Sequence, residues 1–241
     1  MTDTANAADA LADRAERRAR IAAANIPRRY SGALHVGYFN ALALAVIGAA
    51  LAGLDRPTAF EIALAPLFLV FANAFEWWIH RGPMHHPWPH LRELYDRHTL
   101  SHHAYFTDRD MEIASARELK MVLFPPFALP FFIALTSPLP LAAGILISAN
   151  AARIFFASAI TYYLIYEWLH LIHHLPRSSW IGRRRWISAL RAHHTRHHDP
   201  RRMTLGNFNV SFPLWDRVRG TLLSDALEAA GAPGPNASAA A

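Results

Sequence analysis

The stretch YEWLHLIHH at residues 166–174, followed by RAHHTRHH at residues 191–198, decides how the rest of the chain reads. A helix returns to the same face after three and four residues, so His170, His173 and His174 can share one side of a helix, and His194, His197 and His198 one side of another. Two matching groups stand earlier, HRGPMHH at residues 80–86 and HTLSHH at residues 98–103. There His98 and His102 are four apart with His103 adjacent, and His80 and His85 are five apart. Imidazole nitrogen suits transition metals such as iron or zinc. One metal rarely takes more than about six protein ligands, so four such groups imply two metals. Without metal, packed imidazoles would repel as cations or leave donors unpaired. For a lone histidine such as His35 the solvated reading is the better one.

Outward from these groups the chain is apolar. Its 241 residues are 53% hydrophobic, concentrated in a few runs. Arg-rich and His-rich segments offset those runs, so the mean hydropathy is only +0.09. The pattern is that of a membrane protein. There is no cysteine, which removes disulfides and thiolate ligands and leaves His, with Asp, Glu or Asn, to hold a metal. The net charge of +6 follows from placement. Every Arg and Lys except Arg56 and Arg153 lies in the N-terminal segment, between the second and third apolar runs, or after the fourth. These places share one side if the runs are spans, the positive-inside pattern, and nucleic acid is not needed to explain the charge.

In order, the chain reads as all-α and integral to the membrane: about four transmembrane helices in two hairpins, with a cytosolic, helical, His-rich cap. Residues 1–30 form a cytosolic N-terminal segment, a loose surface helix ended by Pro27 and the interfacial group Arg28, Arg29 and Tyr30; it resembles neither a secretory signal nor a transit peptide. Residues 33–54 and 59–79 are each long enough to cross a bilayer core of about 30 Å. The LDRPT turn between them brings His80 out on the side of the N-terminus. Residues 121–135 are interrupted by Pro125, Pro126 and Pro130 and read as a kinked span, turned at 137–140 into a fourth span over 141–163. A re-entrant or interfacial helix pair is the alternative. Either way the four His groups meet on one side. Arg153 and Asn150, within the fourth run, point to an internal polar site or to snorkelling. Residues 31–225 make one membrane-bound domain, and 226–241 a disordered tail.

Glu76 stands four residues before His80 and Glu167 three before His170. Each carboxylate can accept the second ring proton of a ligand and so fix its tautomer. For Glu76, a pair with Arg81 is the equal alternative. No H-E-x-x-H motif is present, which argues against a zinc hydrolase. The His groups lie just beyond the span ends, whereas a transporter places its site near the midplane. An oxygen-activating di-metal enzyme remains, beside a non-enzymatic His-rich metal-binding or transport protein.

HRGPMH, HTLSHH, YEWLHLIHH and HHTRHH, followed by NFNVSFPLWDRVRGT at residues 207–221, resemble the fatty acid hydroxylase and sterol desaturase superfamily of membrane-bound di-iron oxygenases. The resemblance runs from about the second span to Thr221. It implies two irons held by His80, His85, His98, His102, His103, His170, His174, His194, His197 and His198, with no catalytic residue beyond the metal ligands. His173 stands in the family motif too, although relatives need not use every His of a pair. The second group has three residues between His98 and the His pair, where many members have two. Asn207 is expected to support ligands beside Glu76 and Glu167, while His86, His90 and His193 support ligands or face solvent. Phe208 and Trp215 would pack against the metal helices, and Tyr162, Tyr163 and Trp168 would line the interfacial belt.

By this resemblance the protein hydroxylates an unactivated C–H bond of a fatty acyl or sterol-like lipid with dioxygen and two electrons. Desaturation on the same site, or carotenoid hydroxylation, is the alternative. No motif for a fused haem, flavin or ferredoxin domain is present, so a separate reductase or electron-transfer protein is expected. Arg183, Arg184 and Arg185 would form its docking patch or a lipid headgroup contact. The dominance of Ala and Arg suggests a GC-rich bacterium, hence an inner membrane with the His groups and both termini on the cytoplasmic side.

Overall fold

A computed structural model describes residues 2–224, so the tail expected over 226–241 lies outside the described residues. Among them the chain is helical, with no strand beyond an isolated bridge between Thr107 and Asp110. Helix α1 (Thr2–Asn25) is followed by α2 (Gly32–Ala52), which Ser31 caps by accepting from Leu34 N. A capping box between Thr58 and Glu61 starts α3 (Ala59–Ile79). Such caps contribute about 1 kcal/mol each and fix where a nearly featureless apolar run begins. The cap region then holds α4 (Arg92–Arg97), α5 (His103–Tyr105) and α6 (Leu119–Val122). After α7 (Ala128–Thr136) and α8 (Pro138–Leu146) the chain turns into α9 (Ala149–His174), then α10 (Arg185–His197) and α11 (Leu214–Val218).

Three stretches among the described residues are long and apolar enough to cross a membrane: Gly32–Ala52, Ala59–Met84 and Ala128–Leu146. The fold is therefore all-α and of membrane type, and the third and fourth spans expected over 121–135 and 141–163 do not have the bounds that hydropathy gives them. Residues 128–146 act together as α7 and α8, broken at Pro138, which cannot continue an α-helical ladder. Ser148 then caps a new helix by accepting from Ala151 N at 3.0 Å. That helix, α9, is 26 residues and about 39 Å long and packs against α2, α3 and α8. It is more polar than its neighbours because its faces are buried in protein rather than turned to lipid.

At the end away from the histidines, Asn150 accepts from Asp55 N at 3.0 Å and donates to Asp55 O at 2.7 Å, tying the α2–α3 turn to the start of α9. Arg153 packs beside Gly53 at the same end. Neither residue marks an internal site. The opposite ends of α3 and α9 therefore meet under the cap, where Phe39, Phe106, Leu129, Ile160 and Ile187 are fully buried in one cluster. Burying a side chain of this size contributes about 1.5–3 kcal/mol and couples cap to spans. Two expectations are corrected here. His35 is buried rather than solvated, and shares a 2.8 Å hydrogen bond with Tyr30. Helix α1 is not a loose surface helix, since Ile21, Ala22 and Ile26 pack on the core.

Candidate metal centre

In α9 the four-residue spacing of His170 and His174 puts both rings on one face, and His194 and His198 repeat this around the end of α10. The two earlier motifs depart from α-helical geometry. His80–Met84 and His98–His102 are π-helical turns, the second closed by a bond from His103 N to His98 O. A π turn pairs residues five apart, so His80 with His85 and His98 with His103 come to one side. Pro83 and the non-helical Gly82 (φ −83°, ψ −107°) lie within the first of these turns. The adjacent residues His102 and His103 do not share a group, and neither do His197 and His198.

The result is two groups of five buried histidines. His80, His85, His98, His103 and His197 form one; His102, His170, His174, His194 and His198 form the other. Within each, one ring nitrogen from every residue lies within 4.8 Å of the rest. The groups adjoin, with the His103 and His198 rings stacked at 4.2 Å between centroids.

Proton placement shows what these groups can hold. The Nδ1 atoms of His102, His174, His197 and His198 lie 2.7, 2.8, 3.0 and 2.8 Å from the carbonyl oxygens of Met121, Met111, Gly206 and Phe106. His80 Nδ1 bonds Phe208 O. A carbonyl only accepts, so each neutral ring carries its proton on Nδ1 and presents a bare lone pair at Nε2. Yet Nε2 of His80 is 3.0 Å from Nε2 of His197, and Nε2 of His102 is 3.2 Å from that of His198. Two lone pairs at that separation repel unless a cation lies between them. A proton is a poor candidate. Burial first, then neighbouring imidazoles, hold His98, His103, His194 and His198 well below the usual 6.5, and burial lowers His102 to about 4. A metal ion in each group resolves the repulsion, and the all-imidazole donor set fits a transition metal.

The same shifts set a pH dependence. An unfolded chain takes up protons as the pH falls through 6.5, while the buried rings stay neutral. Stability is therefore full above 6.5 and is lost below it. For His102 alone, the loss down to pH 4 reaches about 3 kcal/mol. Thermal melts of metal-free protein should show stability falling by several kcal/mol between roughly pH 7 and 5. A flat profile would contradict neutral buried rings.

The segments that carry these carbonyls are held by buried polar residues. Glu76 reaches neither a ligand nor Arg81. Its face of α3 turns toward the 207–212 loop, where it accepts from Val210 N, from Ser211 N and Oγ, and from Tyr162 OH. Glu167 also touches no imidazole, accepting from Phe124 N at 3.2 Å and Tyr163 OH at 2.9 Å. Both carboxylates thus fix segments that present Phe208 O and Met121 O. Tyr162 and Tyr163, expected in an interfacial belt, are buried as their partners. Trp168 is partly exposed and donates to Asn40 Oδ1 at 3.0 Å.

Asn207 sits in the left-handed region (φ 57°), which Asn tolerates better than most residues. It donates to His193 O at 2.9 Å and accepts from Leu223 N at 2.7 Å. Asp216 was not singled out from the sequence, yet it accepts from Phe208 N, Asn209 N and Thr221 Oγ1 at 3.0, 2.8 and 2.7 Å. Its signal was that it is the single acidic residue of the 207–221 signature. Asn73 on α3 was missed too, and donates to Phe212 O at 2.9 Å. His173 lies outside both groups, with Nε2 2.9 Å from Val210 O. His193 is buried, 3.4 Å from Asp216, whereas His86 and His90 are exposed. Phe208 packs against the rings of His80, His85 and His197.

Comparison with curated proteins finds no match. Among solved structures the chain is similar to full-length Scs7p, of which only the hydroxylase domain is visible. The identity is 21% and the TM-score 0.56, covering 81% of this chain and 67% of that one, a likeness of fold. The family model described as fatty acid hydroxylase matches residues 65–221, which include every histidine of both groups. More than half of the chain lies within that match, and it belongs to the fatty acid hydroxylase family.

Proposed function

We propose that the protein is a membrane-bound di-iron oxygenase that hydroxylates an unactivated C–H bond of a lipid, using dioxygen and two electrons from a separate protein. The observation that carries this reading is the facing of Nε2 lone pairs within two adjoining groups of five buried histidines. When bound, the pair of irons supplies oxygen activation and the oxidising power that a C–H bond demands. The chain's own part is to hold ten neutral donors. Backbone carbonyls keep the proton at Nδ1 of five of these rings, so that Nε2 stays free to ligate without prior proton loss. Phe106 and Phe208, both fully buried, pack against ligand rings and exclude water from them.

The apolar helices end at this centre, which lets a fatty acyl or sterol-like chain approach from the bilayer. The basic residues near the cap favour a cytoplasmic position for the histidines and an inner-membrane setting. Exposed Arg183, Arg184 and Arg185 at the start of α10 offer the electron donor an anion-binding face. His80, His85, His98, His103 and His197 would bind one iron and His102, His170, His174, His194 and His198 the other, with His173 supporting the Val210 loop.

Iron-loaded protein in lipid membranes, given dioxygen and a reductase, should yield a lipid one oxygen heavier. A product lacking two hydrogens would make it a desaturase. Metal accumulation in vesicles with no lipid-dependent oxygen uptake would contradict the enzymatic reading and favour transport.

A further inference from the structure

Arg18, on α1, lies outside the residues matched by the family model and outside both histidine groups. Its guanidinium donates to the carboxylates of Asp110 and Glu118 and to Glu112 O at 3.1 Å. Its Cζ also stands 4.5 Å from the Tyr105 ring centroid and 5.4 Å from that of Phe106. Everything it grips belongs to residues 105–118, a segment built mainly of turns.

That segment carries two of the carbonyls that hold ligand protons: Phe106 O on His198 and Met111 O on His174. Backbone bonds add Asp108 N to His198 O at 3.1 Å and Ile113 N to His174 O at 2.9 Å. All four contacts serve the His102 group. The carbonyls that hold His80 and His197 belong to Phe208 and Gly206, elsewhere in the chain.

The grip is mutual. From the segment's end, Arg117 donates to Arg28 O at 2.7 Å and Pro27 O at 3.0 Å, just beyond α1. Arg18, Ile21 and Ala22 fall at helical spacing on one face, so the apolar residues that seat α1 on the core also aim the guanidinium. The Arg18 side chain is only 14% exposed, which shields its ion pairs from the screening that weakens surface ones.

We propose that α1 is a strap for one of the two metal sites, with Arg18 as the positioning residue that holds the 105–118 segment against His174 and His198. The proposal rests on the di-metal reading above. Its test is metal content and release to a chelator, measured on the full chain. Wild type holds two ions. Arg18→Ala should fall toward one, and the weakened ion should leave on the order of 10–100-fold faster, as when a partner of a metal ligand is lost.

Adding His197→Ala to Arg18→Ala should remove the remaining ion, whereas adding His194→Ala should leave it in place, which assigns the loss to the His102 group. Arg18→Lys keeps the charge without the fork and should lie between the two. Where Arg18→Ala folds poorly, Glu118→Gln removes one partner only and should show the same selective loss at smaller amplitude. An Arg18→Ala protein that keeps both ions with wild-type release overturns the strap, as does equal loss of both ions in Glu118→Gln. Wild type holding fewer than two ions overturns the di-metal reading itself.

Discussion

Replacing His197 with alanine should leave a protein that binds one iron instead of two and has lost turnover. His197 lies on α10 between His194 and His198, but its Nε2 belongs to the other group, 3.0 Å from the Nε2 atoms of both His80 and His85. Its removal opens the first site and leaves the second with all five donors. His194→Ala should do the reverse. Each variant should lose activity by more than the 10–100-fold that loss of an outer partner costs, because the donor itself is gone. His173→Ala is the control. That ring sits on Val210 O outside both groups, so the variant should keep two irons and lose only about 1 kcal/mol for the hydrogen bond plus a term for the cavity. Metal analysis of the three purified variants checks the set. If His173→Ala lost an ion while His197→Ala kept both, the partition would be wrong.

Asp216→Ala should be among the most destabilising single substitutions. The carboxylate is fully buried and accepts from Phe208 N, Asn209 N and Thr221 Oγ1. Alanine strands all three donors in the interior, at about 1–3 kcal/mol each. Allowing for partial relaxation, the loss is about 3–5 kcal/mol, a large share of the total of about 5–15 kcal/mol that holds a typical fold. The melting temperature should fall by roughly 10 °C. Phe208 O holds the proton of His80, so freeing Phe208 N should also weaken metal in the first group more than in the second. Burial pushes the Asp216 carboxyl up, but hydrogen bonds from His193 and Thr221 outweigh it and hold the carboxyl below its usual 3.8. A depressed carboxylate stabilises above its unfolded value and loses that contribution only as the pH falls through the folded one. The acid lability near pH 6 therefore belongs to the histidines. Melts and metal ratios of Asp216→Ala and Asp216→Asn test this; a variant melting like wild type would contradict it.

The helical class and the gathering of the His groups were legible because helical spacing and hydropathy act locally. The division of labour between neighbouring histidines was not. Adjacent His102 and His103 serve different groups, and a five-residue spacing serves one group only where the chain adopts a π turn, which depends on packing around the whole centre. Pro83 inside HRGPMHH was the local hint of such a departure. Glu76 and Glu167 read as acceptors for the ligands His80 and His170, whereas their partners lie far along the chain at Val210, Ser211 and Phe124, a relation that spacing cannot express. The start of α9 was misplaced because hydropathy is continuous across Ile147 and Ser148, while the break is made by a serine cap. Helix α1 read as a solvated surface helix because its charges outnumber the few residues, Ile21, Ala22 and Ile26, that fasten it to the core.

The most direct measurement is an anomalous-scattering map at the iron edge from crystals of the loaded protein. Two peaks are predicted, one within about 2.0–2.2 Å of Nε2 atoms from the His80 group and one likewise bound by the His102 group. A single peak, or metal bound at His173 or His193 instead, would contradict the account.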